Sequence, residues 1–421
     1  MTDFSWVGVG PLATRLLADF GAEVIKVEDV KELDRVRRLP IYKDGGSRTY
    51  GDEDAAPDPN RSGMFNNYSR NKLGVTLNMR LASGRAVAER LIASSDVVAE
   101  NFAAGVLERW GLTAERIREL RPDIITCRMT GYGQTGPEAS YRSYGPVVQA
   151  VSGLSHISGL PGREPSGIGL SYMDNLAAYY NSAAIMMALY RRNITGVGTD
   201  IDTSAIEVGI NLLGPILLDV QAGRGPTRRP DFPAGNMAEF SRVAPHGVYP
   251  AQGEDCWIAI SVRTDSEWRQ LVGVMGDDSL VTNPAFQTME DRYRNHEELD
   301  EVVGAWTRHF DATQLMTRLQ AHGVPAGAVQ TAQDVFDRDP QTHARQVMFS
   351  LDHPVIGTAR FESAPIRGGA VEPDHWRSAP LLGEDNDYVF RGILGMSNDE
   401  YEALIGEGAI IQAANAASGA V

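Results

Sequence analysis

The first pattern with chemical meaning is a glycine-rich turn between a strand-like run and a helix-like run. Residues 8–13 (GVGPLA) fit the spacing G-x-G-x-x-A, and Glu28 ends the next strand-like run. In dinucleotide-binding domains such glycines bring the backbone close to a pyrophosphate, and the acidic residue binds a ribose hydroxyl. Pro11 removes one backbone donor that a pyrophosphate would use. We therefore favour a tight strand-to-helix turn with Pro11 at the first helical position, which needs no ligand.

Asp174 is a second residue whose position suggests chemistry. It precedes a helix-like run of small residues in the segment GLSYMDNLAAYYNSAA. An aspartate before a helix commonly caps it by accepting hydrogen bonds from the first backbone amides. The same carboxylate is ionised at neutral pH, with a reference pKa of about 3.9, and can act as a nucleophile. The local sequence alone favours the capping interpretation.

The histidines and cysteines do not predict a metal site. Eight histidines show no metal-ligand spacing, and His246, in the strand-like PHGVY, is interpreted as a hydrogen-bonded structural residue. The two cysteines, Cys127 and Cys256, are too few for a disulfide framework or a metal cluster. We therefore expect no metal ion.

Length and charge limit the class of protein. A chain of 421 residues is long enough for two domains. The net charge of −16 argues against nucleic acid as a partner, because phosphate backbones require a basic surface. A small phosphorylated ligand remains compatible, since a few arginines and helix N-termini suffice to bind it.

Neither a membrane span nor a secretory signal is visible. The most apolar helix-like stretch, Leu176 to Tyr190, is too short to cross a bilayer and contains Asn181 and Ser182. The start of the chain has no basic region followed by an apolar one. Together with the low cysteine content, these features predict a cytoplasmic protein that does not associate with membranes.

The first two hundred residues alternate between strand-like and helix-like runs. Strands separated by helices predict parallel pairing through right-handed crossovers, and hence a doubly wound α/β domain. The predicted strands are Phe4–Val9, Glu23–Glu28, Asp96–Glu100, Asp123–Met129 and Thr199–Thr203, and the predicted helices are Pro11–Phe20, Ser83–Ser94, Ala114–Leu120 and Ala178–Arg192.

The pattern changes after residue 215, where a smaller α/β domain is predicted. Two strand-like runs in His246–Val262 surround the turn Gly253-Glu254-Asp255, and helical patterns fill Ser266–Met275 and Leu299–His322. Residues from about Val335 onwards are rich in loops and end in a helix around Asp399–Ile405.

Several stretches along nearly the whole chain resemble the class III coenzyme A-transferases, a family that also contains α-methylacyl-CoA racemases and carnitine CoA-transferases. No single motif carries the resemblance. The stretches are GPLATRLLADFGAEVIKVE (Gly10–Glu28), RNKLGVTLN (Arg70–Asn78), DVVAENFAAGVLERWGL (Asp96–Leu112), GYGQTGP (Gly131–Pro137), YGPVVQAVSGL (Tyr144–Leu154), PHGVYP (Pro245–Pro250), GVPAGAV (Gly323–Val329) and LLGEDN (Leu381–Asn386).

The resemblance implies a fold and an assembly. Residues 1–215 with 330–421 would form a large Rossmann-like domain that binds coenzyme A, and residues 216–329 a smaller α/β domain. Two subunits are expected to interlock, as a homodimer or as a heteromer with a related chain. The ligands would be acyl-CoA thioesters and small carboxylic acids, which are substrates, and no permanently bound cofactor is expected.

The resemblance also implies roles for particular residues. Asp174 matches the nucleophilic aspartate of the family, which reverses the preference for simple capping. Residues that match coenzyme contacts are Val7, Arg37 or Arg38, Asn71, Lys72, Leu77, Asn101, Phe102, Arg109 and Arg142. The mobile glycine-rich loop of the family corresponds to Gly235-Asn236, which is not a glycine run in this sequence.

Two departures bear on the reaction. Gly8 stands where oxalate-handling members carry glutamine, and Tyr144 stands where racemases carry histidine. The second departure favours transfer of coenzyme A over racemisation. We expect succinyl-CoA as donor and a branched or aryl-substituted dicarboxylate, such as benzylsuccinate, as one candidate acceptor. An α-methylacyl-CoA racemase or isomerase, and a non-catalytic subunit of a heteromeric transferase, remain the alternatives.

Overall fold

The computed structural model describes residues 1–39, 58–158, 164–223, 242–368 and 375–412. The chain divides into two compact units. The first comprises Met1–Ser155, Gly167–Gly214 and His343–Val421, and the second comprises His156–Ser166 and Pro215–Thr342. The first unit therefore draws on both ends of the chain. Compared with the predicted small domain of residues 216–329, the second unit also includes residues 156–166 and 330–342.

A parallel sheet of six strands forms the centre of the first unit. Its strands are β1 (Thr2–Asp3), β2 (Ile25–Glu28), β3 (Leu73–Thr76), β4 (Val97–Glu100), β5 (Ile125–Thr130) and β6 (Thr199–Ser204). They lie in the order β3-β2-β1-β4-β5-β6, and every neighbouring pair is parallel. The chain reverses its direction of winding between β1 and β4, where a crevice opens at the carboxyl ends of the strands. The α/β class with a parallel sheet is confirmed.

Helices surround this sheet and make up most of the second unit. In chain order they are α1 (Val9–Asp19), α2 (Gly63–Tyr68), α3 (Ala82–Ser94), α4 (Val106–Arg109), α5 (Ala114–Leu120), α6 (Gly145–Val151), α7 (Leu154–Ile157), α8 (Tyr172–Thr195), α9 (Ala205–Leu212), α10 (Gly214–Gln221), α11 (Asp265–Met275), α12 (Ser279–Thr282), α13 (Met289–Arg294), α14 (His296–Thr307), α15 (Ala312–Ala321), α16 (Ala332–Asp337), α17 (Pro340–Ala344) and α18 (Asn398–Gly406). A 3₁₀ turn spans Arg35–Arg38, and a π-helical turn spans Tyr388–Ile393.

Helices α1 and α8 lie side by side on one face of the sheet. Ala13 and Ala178 are fully buried between them, and the Ser182 hydroxyl donates to the Ala13 carbonyl over 2.9 Å. Small side chains at these positions allow the two backbones to approach closely. On the opposite face α3 and α5 pack through residues such as Leu91 and Ile117. Each face of the sheet is therefore covered, as a parallel sheet requires.

The beginning of the chain differs from the prediction. The first strand is only Thr2–Asp3, so the predicted strand Phe4–Val9 is wrong, and α1 already begins at Val9. Side chains capture the backbone that would have continued the strand: Asp3 accepts the Ser5 amide at 2.9 Å and Asn101 accepts the Trp6 amide at 2.7 Å. Pro11 is the third residue of α1, not the first.

The second unit contains an antiparallel sheet of three strands. These are β7 (His246–Pro250), β8 (Trp257–Ser261) and β9 (Ala326–Ala328), in the order β7-β8-β9. The predicted hairpin is confirmed, and the predicted helical stretch from Leu299 to His322 consists of the two helices α14 and α15. In the first unit, the segment expected to be mainly loops contains the hairpin β10 (Met348–His353) and β11 (Gly357–Glu362).

Membrane spans and metal sites can be assessed from the helices and side chains of the described ranges. None of their helices is both long enough and apolar enough to span a bilayer. In the same ranges, no group of three or more histidine, cysteine, aspartate or glutamate side chains is arranged to hold a metal ion.

Close packing explains the glycine at the start of α1. A β-carbon placed on Gly10 would lie 2.2 Å from the β-carbon of Ser5 and 3.1 Å from Cγ of Asn101. Glu28, the acidic residue of the dinucleotide pattern, is buried and pairs with Arg37 at 2.7 Å. The turn therefore needs its glycine for protein packing, which agrees with the ligand-free interpretation.

We predict that Gly10→Ala lowers the free energy of unfolding by about 1 to 3 kcal/mol, because the added methyl group overpacks the turn. Adding Ser5→Gly should restore part of this loss. The matched control is Gly273→Ala in α11, where a β-carbon meets nothing within 4 Å. That change should be neutral or stabilising by up to about 1 kcal/mol. Chemical denaturation measures all three, and a Gly10→Ala protein as stable as the wild type would contradict the packing argument.

Candidate active site

Asp174 lies in the first turn of α8, as its third residue. The N-cap of this helix is Ser171, so the interpretation of Asp174 as the capping residue is wrong. Its backbone amide donates to the Ser171 carbonyl at 3.1 Å. Within the described part of the chain, no side chain or backbone amide donates a hydrogen bond to its carboxylate. The carboxylate is therefore held by the backbone alone and faces its surroundings without a partner.

The backbone of Gly8 lies directly beside this carboxylate. A β-carbon placed on Gly8 would be 2.9 Å from Oδ2 of Asp174 and 3.3 Å from its Cγ. A side chain at this position would therefore require the Asp174 carboxylate to shift from the place it has in this structure. Gly8 is also the N-cap of α1 and provides no side-chain cap. The amides of Val9 and Gly10 consequently begin a helix without an intrahelical acceptor, next to Asp174.

Burial and helix dipoles act on this carboxylate in opposite directions. Burial raises the pKa of Asp174 from 3.8 to about 6, because the charged form loses solvation. The N-termini of α1 and α8, which both begin here, favour a negative charge. At neutral pH the group is thus an ionised carboxylate with little solvation and, among the residues that the structure describes, no ion-pair partner, which is the state of a reactive oxygen nucleophile.

The turn between β1 and α1 has a strained conformation. Val7 has φ of +65°, in the left-handed region that β-branched residues rarely adopt. The Val7 amide donates to Oδ1 of Asp34 at 2.9 Å. Trp6 exchanges two hydrogen bonds of 2.7 Å with the Asn101 side chain, which follows β4. Strain of this kind is often found at functional sites, where the surroundings enforce it.

A cavity of about 270 Å³ opens at the carboxyl ends of β1 to β4. Aromatic rings form part of its wall, with Phe102 packing edge-on against Trp6 at 5.3 Å and against Trp110 at 5.4 Å between ring centroids. Glu100 supports this wall by accepting the Phe102 amide at 2.7 Å. The lining residues are Phe4, Trp6, Val27, Glu28, Asp29, Glu32, Leu77, Met79, Arg80, Phe102, Val106, Arg109 and Trp110.

The structure brings together five of the predicted coenzyme contacts. Leu77, Phe102 and Arg109 line the cavity, and Val7 and Asn101 lie in the neighbouring turns. The Arg109 side chain is exposed. The other lining residues were not predicted as coenzyme contacts, and Met79 and Arg80 are two of them. Both follow Leu77 at the carboxyl end of β3. Because the carboxyl ends of parallel strands meet at one edge of the sheet, this position could have predicted that they lie at the cavity.

Three other predicted contacts make internal bonds. Arg37 is buried, and each of its guanidinium nitrogens donates to a protein acceptor, chiefly Glu28. Asn71 precedes β3 and donates to Asp19 at 2.7 Å. Lys72, also before β3, is fully buried and donates to Asp3 at 3.1 Å and to the Pro11 carbonyl at 2.9 Å. Burial lowers the pKa of Lys72 to about 8.

The remaining predicted residues lie elsewhere. Arg38 is exposed at the end of the 3₁₀ turn, and Arg142 is exposed in the loop between β5 and α6. Tyr144 is the N-cap of α6, and its hydroxyl accepts from Arg35 at 3.0 Å. Gly235-Asn236 lies outside the described residues.

Comparison with known proteins identifies the family. The model of CoA-transferase family III matches residues 1–386. The chain belongs to CoA-transferase family III. It is therefore a CoA-transferase, and the resemblance inferred from its motifs is confirmed.

Relatives and solved structures agree with this assignment. The chain is 33% identical over 395 residues to the succinyl-CoA–D-citramalate CoA-transferase of Chloroflexus aurantiacus, covering 94% of this chain and 93% of that protein. It is 29% identical to the succinyl-CoA–L-malate CoA-transferase beta subunit of the same organism, covering 96% and 95%. A CAIB/BAIF family protein from Brucella suis superposes with a TM-score of 0.80 at 28% identity, covering 93% of this chain and 97% of that one.

We predict that Asp174→Asn does not destabilise the fold at neutral pH. The folded pKa of about 6 lies above the ordinary value of 3.8, so ionisation of the wild-type carboxyl costs stability as pH rises through this window. The variant should be close to the wild type near pH 4 and exceed its free energy of unfolding by up to about 3 kcal/mol at pH 7. Denaturation at several pH values measures this difference. A variant that loses stability only at neutral pH would show that the carboxylate makes stabilising contacts.

Proposed function

We propose that the chain transfers coenzyme A from an acyl-CoA thioester to a free carboxylic acid, with Asp174 as the nucleophile. The observation that carries this proposal is the position of the Asp174 carboxylate. It is poorly solvated, has no partner among the described residues, and lies beside the backbone of Gly8 at the start of α1. A carboxylate that forms a structural ion pair could not attack a thioester without first losing that partner.

The reaction can be written with each bond accounted for. A carboxylate oxygen of Asp174 attacks the thioester carbonyl, and the carbon–sulfur bond breaks to give an acyl-aspartyl anhydride and the coenzyme A thiolate. The thiolate then attacks the aspartyl carbonyl, which releases the first acid and leaves an aspartyl-CoA thioester. The incoming carboxylate reverses these two steps and regenerates Asp174. Covalent catalysis of this type replaces one difficult exchange with easier steps.

The start of α1 is suited to stabilise the charge that develops. Each attack places a negative charge on a carbonyl oxygen, and preorganised backbone amides lower the energy of such an oxyanion. The amides of Val9 and Gly10 begin α1 without intrahelical acceptors, next to the carboxylate. These amides can stabilise the oxyanion without a positively charged side chain. The partial burial of Asp174 also limits the access of water to the anhydride.

The cavity at the carboxyl ends of the strands is the proposed coenzyme site. Trp6 and Phe102 offer apolar surface for the adenine ring, and Arg80 and Arg109 offer cations for phosphates. Trp6 lines the cavity, while Gly8, two residues later, contacts Asp174. The turn between β1 and α1 therefore connects the two parts of the site, and the pantetheine arm of the coenzyme would follow it.

The names of the relatives support succinyl-CoA as the donor. As acceptor we propose a branched or aryl-substituted dicarboxylate, with benzylsuccinate as one candidate. A racemase is disfavoured because Tyr144, at the position of the racemase histidine, is bonded to Arg35. A non-catalytic subunit is disfavoured by the presence of Asp174 in a reactive environment.

An exposed apolar face on α8 supports the proposed interlocked dimer. Met187, Tyr190 and Ile194 are 66%, 71% and 68% exposed, while the opposite face of the helix is buried in the first unit. Contiguous apolar surface of this kind commonly marks a protein interface. A second copy of the chain, or a related subunit, would cover it.

Removal of the Asp174 carboxylate is predicted to abolish transfer. With succinyl-CoA and a panel of dicarboxylates, Asp174→Asn should lose at least about 10³-fold in turnover, because the nucleophile is gone. The matched control is Asp399→Asn, the same change in the first turn of α18, which should retain full activity. Wild-type protein treated with succinyl-CoA and hydroxylamine should carry a hydroxamate on the peptide that contains Asp174.

Several results would contradict this assignment. Trapping that maps to another residue, or near wild-type turnover by Asp174→Asn, would exclude Asp174 as the nucleophile. Rapid deuterium incorporation at the α-carbon of a 2-methylacyl-CoA in deuterated water would favour the racemase alternative.

The proposed interlocked dimer leads to a separate prediction. Interlocked subunits should not dissociate on dilution, so mass photometry at nanomolar concentration should detect a dimer or a larger species. Met187→Lys places a charge in the exposed apolar face of α8 and should reduce the dimer fraction, because burial of an unpaired ammonium is costly. A wild-type monomer with full activity would be incompatible with the proposed assembly.

A further inference from the structure

The turn from Ser5 to Gly8 is held by two buried ion pairs. Oδ1 of Asp34 accepts the Val7 amide at 2.9 Å, and Oδ2 accepts the Lys26 ammonium at 2.9 Å. Lys26 also donates to the Ser5 carbonyl at 2.7 Å. Asp34 and Lys26 are both fully buried. One ion pair thus fixes the backbone on both sides of Trp6.

A second pair, Asp3 with Lys72, flanks the same turn. Asp3 accepts the Ser5 amide at 2.9 Å, and the two side chains meet at 3.1 Å. Lys72 donates in addition to the Pro11 carbonyl, in the first turn of α1, at 2.9 Å. The two pairs are neutral overall and bind the backbone before and after the strained Val7.

The burial of these four charged side chains is not explained by a gain in stability. A buried ion pair loses much of its attraction to desolvation and often contributes little net stability. In this case the pairs enforce a conformation that the chain would otherwise avoid, because Val7 is β-branched and has φ of +65°. Val7 is followed by Gly8, whose backbone lies beside Asp174.

We propose that Asp34 is a positioning residue for the transfer reaction. Its carboxylate holds the Val7 amide, and so keeps the start of α1 directed at Asp174. It does not touch the substrate. This inference rests on the proposed function, and it assigns Asp34 an effect on the rate of the chemical step, with little effect on binding of the coenzyme.

The test uses succinyl-CoA and hydroxylamine, and the measured quantity is the rate at which a hydroxamate forms on Asp174. Asp34→Ala should lower the maximal rate about 100-fold, the cost of misplaced oxyanion donors. The half-saturating succinyl-CoA concentration should change less than about threefold. Adding Val7→Gly should recover at least about tenfold of the rate, because glycine adopts positive φ without a clamp.

The control is an equally buried ion pair that does not touch the turn. Asp19 pairs with Arg70 at 2.7 Å, and both side chains are fully buried. Asp19→Ala removes a comparable buried charge, but adding Val7→Gly to this variant should not raise the rate of hydroxamate formation. Recovery of equal size in both backgrounds, or a maximal rate of Asp34→Ala within about threefold of the wild type, would overturn the role of Asp34.

A double variant covers the case in which Asp34→Ala does not fold. Asp34→Asn with Lys26→Met keeps an oxygen acceptor for the Val7 amide and removes both charges. This protein should retain the wild-type rate within about threefold, and a loss of about 100-fold would overturn the proposal.

Hydrogen exchange tests the positioning without any activity. The amides of residues 5–12 should exchange faster in Asp34→Ala, return towards the wild-type rate with Val7→Gly, and remain unchanged in Asp19→Ala. Unchanged exchange in Asp34→Ala would overturn the role of Asp34. If the wild type forms no hydroxamate while the exchange pattern is as expected, the proposed function fails, and only the conformational effect of Asp34 on residues 5–12 is supported.

Discussion

The close approach of the Gly8 backbone to the Asp174 carboxylate is the contact on which the site depends. Glycine at position 8 allows this approach without displacing the carboxylate, since a β-carbon there would lie 2.9 Å from Oδ2 of Asp174. The approach also requires α1 and α8 to begin at the same point and to lie close together, which the small residues Ala13 and Ala178 allow. Much of the first unit can be understood as support for this geometry.

The polar residues around the site have two distinct functions. Arg37 and Lys72 are fully buried and form ion pairs that hold backbone segments in place. Arg80 and Arg109 line the cavity at the carboxyl ends of the strands, and their side chains are exposed. Arg80 pairs with Glu32 at 3.0 Å, but both side chains are exposed, so this pair can exchange for a phosphate at little cost. The buried pairs of Arg37 and Lys72 would have to break at a much higher cost. Burial therefore distinguishes the cations that hold the backbone in place from those that can bind a ligand.

The sequence predicted the elements better than their junctions. Periodicity predicted α5 with the bounds that the structure has, and most strands within a few residues. Strands β2 and β4 are buried along their whole length, as is usual in a parallel sheet, and short runs between helix-like segments were their signal. Periodicity failed at β1, where the side chains of Asp3 and Asn101 replace a strand partner for Ser5 and Trp6. Such bonds join distant parts of the chain and leave no local pattern.

The same limit applies to the candidate site. Motif resemblance singled out Asp174 and the turn around Val7, but it could not show that Lys72 pairs with Asp3, 69 residues away along the chain. Nor could it show that the Asp174 carboxylate has no hydrogen-bond or ion-pair partner in the described part of the chain. Whether a charged residue is paired depends on the tertiary structure, and that distinction decides which carboxylate is available for chemistry.

The path of oxygen atoms through the reaction shows whether the Asp174 carboxylate forms the anhydride. If an acceptor acid labelled with ¹⁸O in its carboxylate forms an anhydride with Asp174, breakdown of that anhydride leaves one labelled oxygen on the enzyme. Protein taken after one turnover and digested should therefore contain one heavy oxygen in the peptide that carries Asp174, and none in the Asp174→Asn variant. Transfer of coenzyme A to the labelled acid with no label on this peptide would contradict the account.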